Sequence, residues 1–282
     1  MTNPNNPGFE ASPARAYVLG HSAQELERLN AQERLVGPIT RQFLRDAGIV
    51  PGMRVLDVGS GAGDVAFLAA DLVGTEGDVT GAESATLAVS AARARAEARS
   101  LRNVSFRACD PTETAFERPF DAVVGRYVLM FNADPAAMIR KLAGHLRPGG
   151  VMVFHEVDWD GTRSFPPSPT YERCNRWIVE TFRLLGTETR MGAMLHAAFV
   201  AAGLPAPVMR LNALIGGGVG SADWLHMIAE LARTLLPAME RLGVATAAEV
   251  GIETLADRLR REVADGGGVI VGRSEIGAWS RV

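Results

Sequence analysis

Lysine is almost missing from this 282-residue chain: Lys141 is the only one, so a lysine Schiff-base mechanism has almost no material. Cysteine is nearly as scarce. Cys109 and Cys174 lie far apart and match no zinc or redox spacing, so two small thiols are expected rather than a disulfide. Basic charge is not in excess either, with 29 Lys plus Arg against 32 Asp plus Glu and a formal net charge of -3. A polyanionic partner is usually met by a basic surface, so a nucleic acid is not expected. No apolar run approaches membrane-spanning length, which predicts no membrane partner. The Asn- and Pro-rich start, 1–16, has no basic head and apolar stretch, and reads as a frayed tail rather than a signal peptide. The expected location is the cytoplasm.

What is abundant is apolar side chain, 47% of the sequence, enough for a large core. Residues 17–50 carry Leu26, Leu29, Leu35, Val36, Ile39, Phe43 and Leu44 at helical spacing, with Gly37-Pro38 expected to break the run. From residue 51 to 160 strand and helix alternate. Strands are predicted at Val55 to Val58, Asp78 to Ala82, Val104 to Ala108, Phe120 to Gly125 and Val151 to Val157. Helices fall between them, one opened by Asp134-Pro135 and one with Ser84 as its expected cap. This alternation predicts a parallel sheet covered on both faces. Beyond it, 161–206 reads as a helical cap, and 207–282 as a final strand pair interrupted by a helical insertion over 222–264.

The segment VLDVGSGAGDVAFLAA, 55–70, carries the most chemistry. A glycine-rich turn between a buried strand and a helix lets a ligand approach the backbone. A dinucleotide fingerprint wants its third glycine five residues after the first, a position held here by Asp64, while Gly59, Gly61 and Gly63 alternate. Asp57, two residues before the first glycine, would sit poorly beside a pyrophosphate but suits a ligand with a positive amino-acid end. Glu83, closing the second strand, can accept hydrogen bonds from both hydroxyls of a ribose.

DVGSGAG followed by an acid after the second strand resembles motif I and its partner in class I S-adenosylmethionine-dependent methyltransferases. The likeness extends through Asp110, FDAVVGRYVLMF (120–131) and the LRPGG turn (146–150), covering Met53 to Asp158, about half the chain. Glu83 stands where this family more often has Asp. The resemblance implies a Rossmann-like α/β fold: a seven-stranded, mostly parallel sheet with its last strand antiparallel, under a helical lid. It implies S-adenosylmethionine as cofactor, S-adenosylhomocysteine as product and a small-molecule acceptor. The cofactor would be held by Tyr17, Asp57, Gly59, Gly61, Gly63, Glu83, Ser84, Asp110, Pro111 and Arg126.

Acceptor contacts are expected from Tyr127, Met130, Glu156, Trp159 and Trp177, with His155 as a candidate base because imidazole titrates near neutral pH. No metal is expected: relatives acting on catechols with a metal carry acids just after the fourth strand, where this chain has Gly125-Arg126. The Asn-Pro-Pro-aromatic and Pro-Cys motifs of nucleic-acid members are absent as well. A nicotinamide-dependent oxidoreductase and a non-catalytic cofactor-binding protein are the rival readings, and a homodimer is a plausible assembly.

Overall fold

The computed structural model describes residues 23–282, with side chains from Gln32 onward. Helix α1 (Ala23–Asp46) runs unbroken through Gly37-Pro38, against the expected break. Val36, Ile39, Phe43 and Leu44 bury one stripe of it, and that burial outweighs the one backbone bond Pro38 removes.

Five parallel strands follow in the order β3 (Val104–Ala108), β2 (Asp78–Glu83), β1 (Arg54–Val58), β4 (Phe120–Arg126) and β5 (Leu146–Asp158). Helices α2 (Asp64–Val73), α3 (Thr86–Ala98) and α4 (Pro135–Ala143) connect them. Strand β5 starts five residues before the expected Val151, because the LRPGG segment is already paired: Leu146 lies opposite Phe120 ahead of an irregularity in register. Thr86, not Ser84, opens α3, and no side chain caps it.

The sheet has eight strands rather than seven. The extra one is β6 (Arg163–Phe165), three residues long, which pairs antiparallel with β8 (Val269–Arg281). Strand β8 also runs antiparallel to β5 and to β7 (Val208–Gly217). The segment expected as a helical cap contains α5 (Pro169–Leu184) and α6 (Met191–Ala201), and between β7 and β8 lie α7 (Ala222–Leu242), α8 (Ala247–Val250) and α9 (Ile252–Asp265). Gly251, at φ 55, separates α8 from α9 within what the sequence suggests is one helix. Among the described residues no helix is long and apolar enough to cross a membrane.

Strand alternation sends Val55, Val124, Val153 and Trp279 into one core with α1, α2 and α3. Leu56, Val123, Met152 and Phe154 join a second core with α4 to α7 and α9. The connections leave β1 toward β2 on one side and enter β4 on the other, so a crevice opens past the carboxyl ends of β1 and β4.

Candidate functional site

At the mouth of that crevice the chain turns sharply after β1. Gly59, Gly61 and Gly63 all adopt positive φ (61, 51 and 93), which favours glycine. Gly59 is also crowded, since a Cβ there would come within 2.8 Å of Val128 beyond β4. Nothing lies within 4 Å of the corresponding point on Gly61, so its backbone faces open space. Arg95 locks the loop from below, donating to the Ala62 carbonyl at 2.5 Å and to Asp64 at 2.7 Å.

Two polar atoms around this loop are buried without a partner, Asp57 Oδ2 and Ser60 Oγ. Burial pushes the Asp57 carboxyl well above the usual carboxylate range, and nearby Arg126 only partly opposes it. An uncompensated carboxyl beside an open backbone calls for a cationic or donor-rich ligand.

Glu83 closes the other side. Its Oε2 accepts from the Gly61 amide at 3.1 Å, and its Oε1 from the Ala85 amide at 2.9 Å and the Ser84 hydroxyl at 3.3 Å. Leu87, the second residue of α3 and 71% exposed, adds an apolar surface that sequence reasoning missed. Asp110 is exposed just beyond β3, with one oxygen accepting from both the amide and the hydroxyl of Thr112. Pro111 is buried, and its carbonyl meets His145 Nε2 at 2.7 Å. Tyr17 lies outside the described residues.

Past β4 the expected acceptor residues separate. Arg126 and His155 are register partners, so both project from the α1 face of the sheet. Arg126 donates to Glu33 at 2.8 Å and to Thr40 Oγ1 at 3.0 Å, and lies 3.9 Å from Asp64. His155, 2% exposed, sits with Nδ1 3.1 Å from Thr40 Oγ1 and Nε2 2.9 Å from Glu275. Burial lowers the imidazole below its ordinary value, so it is neutral at neutral pH.

A carboxylate only accepts, so Nε2–H donates to Glu275, and Nδ1 faces the Thr40 hydroxyl, sharing that group's one proton with the Val36 carbonyl at 3.2 Å. His155 is therefore not a base open to an acceptor: both ring nitrogens are committed within the protein.

Glu275 gathers two further donors, the Tyr127 hydroxyl at 2.7 Å and Arg273 Nε at 3.0 Å. Burial would raise this carboxyl, but Arg273, His155 and Tyr127 outweigh it and hold it at about 2. Tyr127 has a positive φ of 56, unusual outside glycine, and its phenol is pushed up by burial and by Glu275.

Glu156 points to the opposite face from His155 and does not line the crevice. It is fully buried, and its Oε1 anchors the turn after β4 by accepting from Val128 N (2.8 Å) and Leu129 N (2.7 Å). Burial pushes its carboxyl up to about 8, with those amides opposing. Met130 belongs to the second core. Trp159, 2% exposed, packs against Phe182 and under Arg273. Trp177 lines a groove of about 770 Å³ between α5 and the Leu242–Val244 turn, which includes no residue of the glycine loop. Both cysteines are free.

Glu33, Thr40, Arg273 and Glu275 escape a reading by motif. The one signal for the last two is charge at alternate positions of an otherwise apolar final strand, GRSEIGAW.

A family model described as a methyltransferase domain matches residues 49–198. Among curated proteins, the chain is 36% identical over 118 residues to aklanonic acid methyltransferase DauC from Streptomyces sp. strain C5, covering 42% of this chain and 54% of that one. It is 38% identical over 114 residues to nocamycin O-methyltransferase from Saccharothrix syringae, covering 40% and 41%. The matched segments thus span about half or less of these relatives. Geranyl diphosphate C-methyltransferase from Streptomyces coelicolor A3(2) shares the fold, with a TM-score of 0.53 at 19% identity over 96% of this chain and 89% of that one.

Proposed function

Because the chain belongs to the methyltransferase-domain family, we propose that it moves the methyl group of S-adenosylmethionine onto a small organic acceptor. One observation carries the cofactor assignment: the orphaned Asp57 Oδ2 lies by a glycine turn whose central backbone, Gly61, is open. A nicotinamide dinucleotide would bring two phosphates toward that carboxyl, and the comparisons give that alternative no support. When bound, S-adenosylmethionine supplies a sulfonium that makes its methyl group electrophilic.

The residues present fit this ligand. Asp57 complements a positive amino-acid end. Glu83 exchanges its backbone partner for ribose hydroxyls, Leu87 offers an apolar surface, and Asp110 keeps one oxygen free of its Thr112 turn. Arg126 neutralises the acids beside the loop and holds α1 against the sheet through Glu33 and Thr40. Tyr127, fixed by Glu275 and Arg273, presents the first side chain beyond β4. The protein's task is alignment and exclusion of water, for which a rigid hydrogen-bonded frame suffices and no protein nucleophile is needed.

Calorimetric titration with S-adenosylhomocysteine tests the reading, with NAD as the control ligand. Micromolar binding of the first alone is expected. A Gly61→Val variant should lose it by at least about 100-fold, because valine at positive φ is strained and fills the open approach. Binding of NAD in its place, or undiminished binding by a folded variant, would overturn the assignment.

A further inference from the structure

Strand β8 carries, at its fifth residue, a guanidinium that the fold does not fully use. Strand β5 ends its pairing at Asp158 opposite Ser274, so Arg273 stands just past the carboxyl end of β5, level with the crevice. It is 5% exposed. Three aromatic rings surround it, Tyr127, Trp159 and Trp224, with centroids 5.0, 5.1 and 5.8 Å from its central carbon.

A guanidinium has five N–H donors. Here Nε donates to Glu275 at 3.0 Å and Nη2 to the Tyr127 hydroxyl at 3.1 Å, and no described residue accepts from Nη1. Glu275 is already shared among Arg273, Tyr127 and His155. A second donor in the same place is also unused. The Trp159 indole N–H is buried without a partner, whereas that of Trp224 is taken by Tyr171 at 3.0 Å. A buried donor without an acceptor, as the Trp159 indole is, is costly, and beside a guanidinium arm with no acceptor among the described residues it marks a position for an oxygen-rich group.

We propose that Arg273 and Trp159 form the acceptor's anchor, binding an acidic oxygen group, a carboxylate or an ionised enol, on a planar apolar body. The proposal rests on the methyltransferase reading only in calling that molecule the acceptor. A carboxylate held by a guanidinium is a weaker nucleophile, so the anchored group is not the atom that is methylated. Strand β8 lies two strands from β4, a lateral separation of about 10 Å, so the acceptor spans several bonds or fused rings between anchor and methyl donor. Tyr127, the half-buried ring of the three, offers such a body a flat apolar wall.

The probe is 2-naphthoate compared with its neutral amide, titrated calorimetrically into the protein with S-adenosylhomocysteine present. The carboxylate should bind at least about tenfold tighter than the amide. Trp159→Phe removes the indole donor while keeping the ring, and Arg273→Lys keeps the charge beside Glu275 but loses the fork; each should cut that preference at least about fivefold. Affinity for S-adenosylhomocysteine should stay within about twofold in both. Equal affinity for the two probes, absence of binding by either, or a preference unchanged in both variants would overturn the anchor. Failure of S-adenosylhomocysteine to bind the unaltered protein would instead remove the methyltransferase reading, and the naphthoate arm would still decide the anion site.

Discussion

The glycine-loop end of the sheet and its β5–β8 end are both polar regions inside an apolar protein, but they are built in opposite ways. The first comes from two short segments, 55–64 and 83–87, and leaves Asp57 Oδ2 and Ser60 Oγ without partners. The second draws Glu33, Thr40, Arg126, Tyr127, His155, Arg273 and Glu275 from across the chain and binds them into one run of hydrogen bonds. Open valences at the loop fit a region that waits for a ligand, while closed valences fit a frame that holds its own shape. Two buried atoms without partners, the Trp159 indole N–H and Glu156 Oε2, break that closure, and Nη1 of Arg273 has no acceptor among the described residues.

The sharpest way to break the comparison is Glu275→Ala. Removing the carboxylate leaves Arg273 buried without its counter-charge, and loss of one partner of a buried pair costs about 3–5 kcal/mol. Urea unfolding should show that loss; a cost below about 1 kcal/mol would mean the β5–β8 network is not structural. Glu275 also sets a pH window. Its carboxyl is held near 2 when folded, below its ordinary 4.5, so its contribution is present above pH 4.5 and is lost as pH falls toward 2.

Glu83→Gln comes next in size and should cost less stability than Glu275→Ala, because its remaining oxygen can still accept from one of the loop amides. It replaces one acceptor oxygen by a donor, and hydrogen bonds to a charged group are worth about 1.5–3 kcal/mol, so S-adenosylhomocysteine affinity should fall roughly 10- to 150-fold. Parallel losses of stability and affinity would erase the distinction between the two ends.

An effect confined to high pH belongs to Glu156→Gln. The folded carboxyl is raised to about 8, so between pH 4.5 and 8 the unfolded chain ionises while the folded one stays protonated. Stability at this site is full below 4.5 and is lost as pH rises through 8. The amide cannot ionise and keeps an oxygen for Val128 and Leu129. The variant should therefore unfold at the same temperature as the parent at pH 5 and at a higher one at pH 8, and a lower midpoint at pH 8 would contradict this.

Much of the parallel half of the fold was legible because its signals are local. Strands of four to seven mostly apolar residues, a glycine turn and proline-opened helices each announce themselves within a dozen positions. The helical run from Ala23 onward was legible too, but not its continuity through Pro38, since the packing of Val36, Ile39, Phe43 and Leu44 makes up for the missing bond. Strand β6 has three residues and no periodicity to read; it exists because β8 extends beyond β5 and offers it an edge. His155 was visible as a residue type, but its role was not. Whether a histidine on an inner strand faces solvent or a carboxylate depends on what the neighbouring strand brings opposite it, and here that strand lies about 120 residues away.

By itself the sequence determined the alternating strands and helices, the glycine turn with Asp57 and Glu83, and through them the methyltransferase resemblance, since backbone conformation and short-range ligand contacts are set by neighbours in the chain. Tertiary structure alone decided which charged side chains were buried together, that His155 is a link between Thr40 and Glu275, and that Arg273 meets Tyr127, Trp159 and Trp224 at the end of the crevice. Charge burial is settled by the pairing of distant strands, because a buried ion is tolerated only where another part of the chain brings its counter-charge within hydrogen-bonding distance.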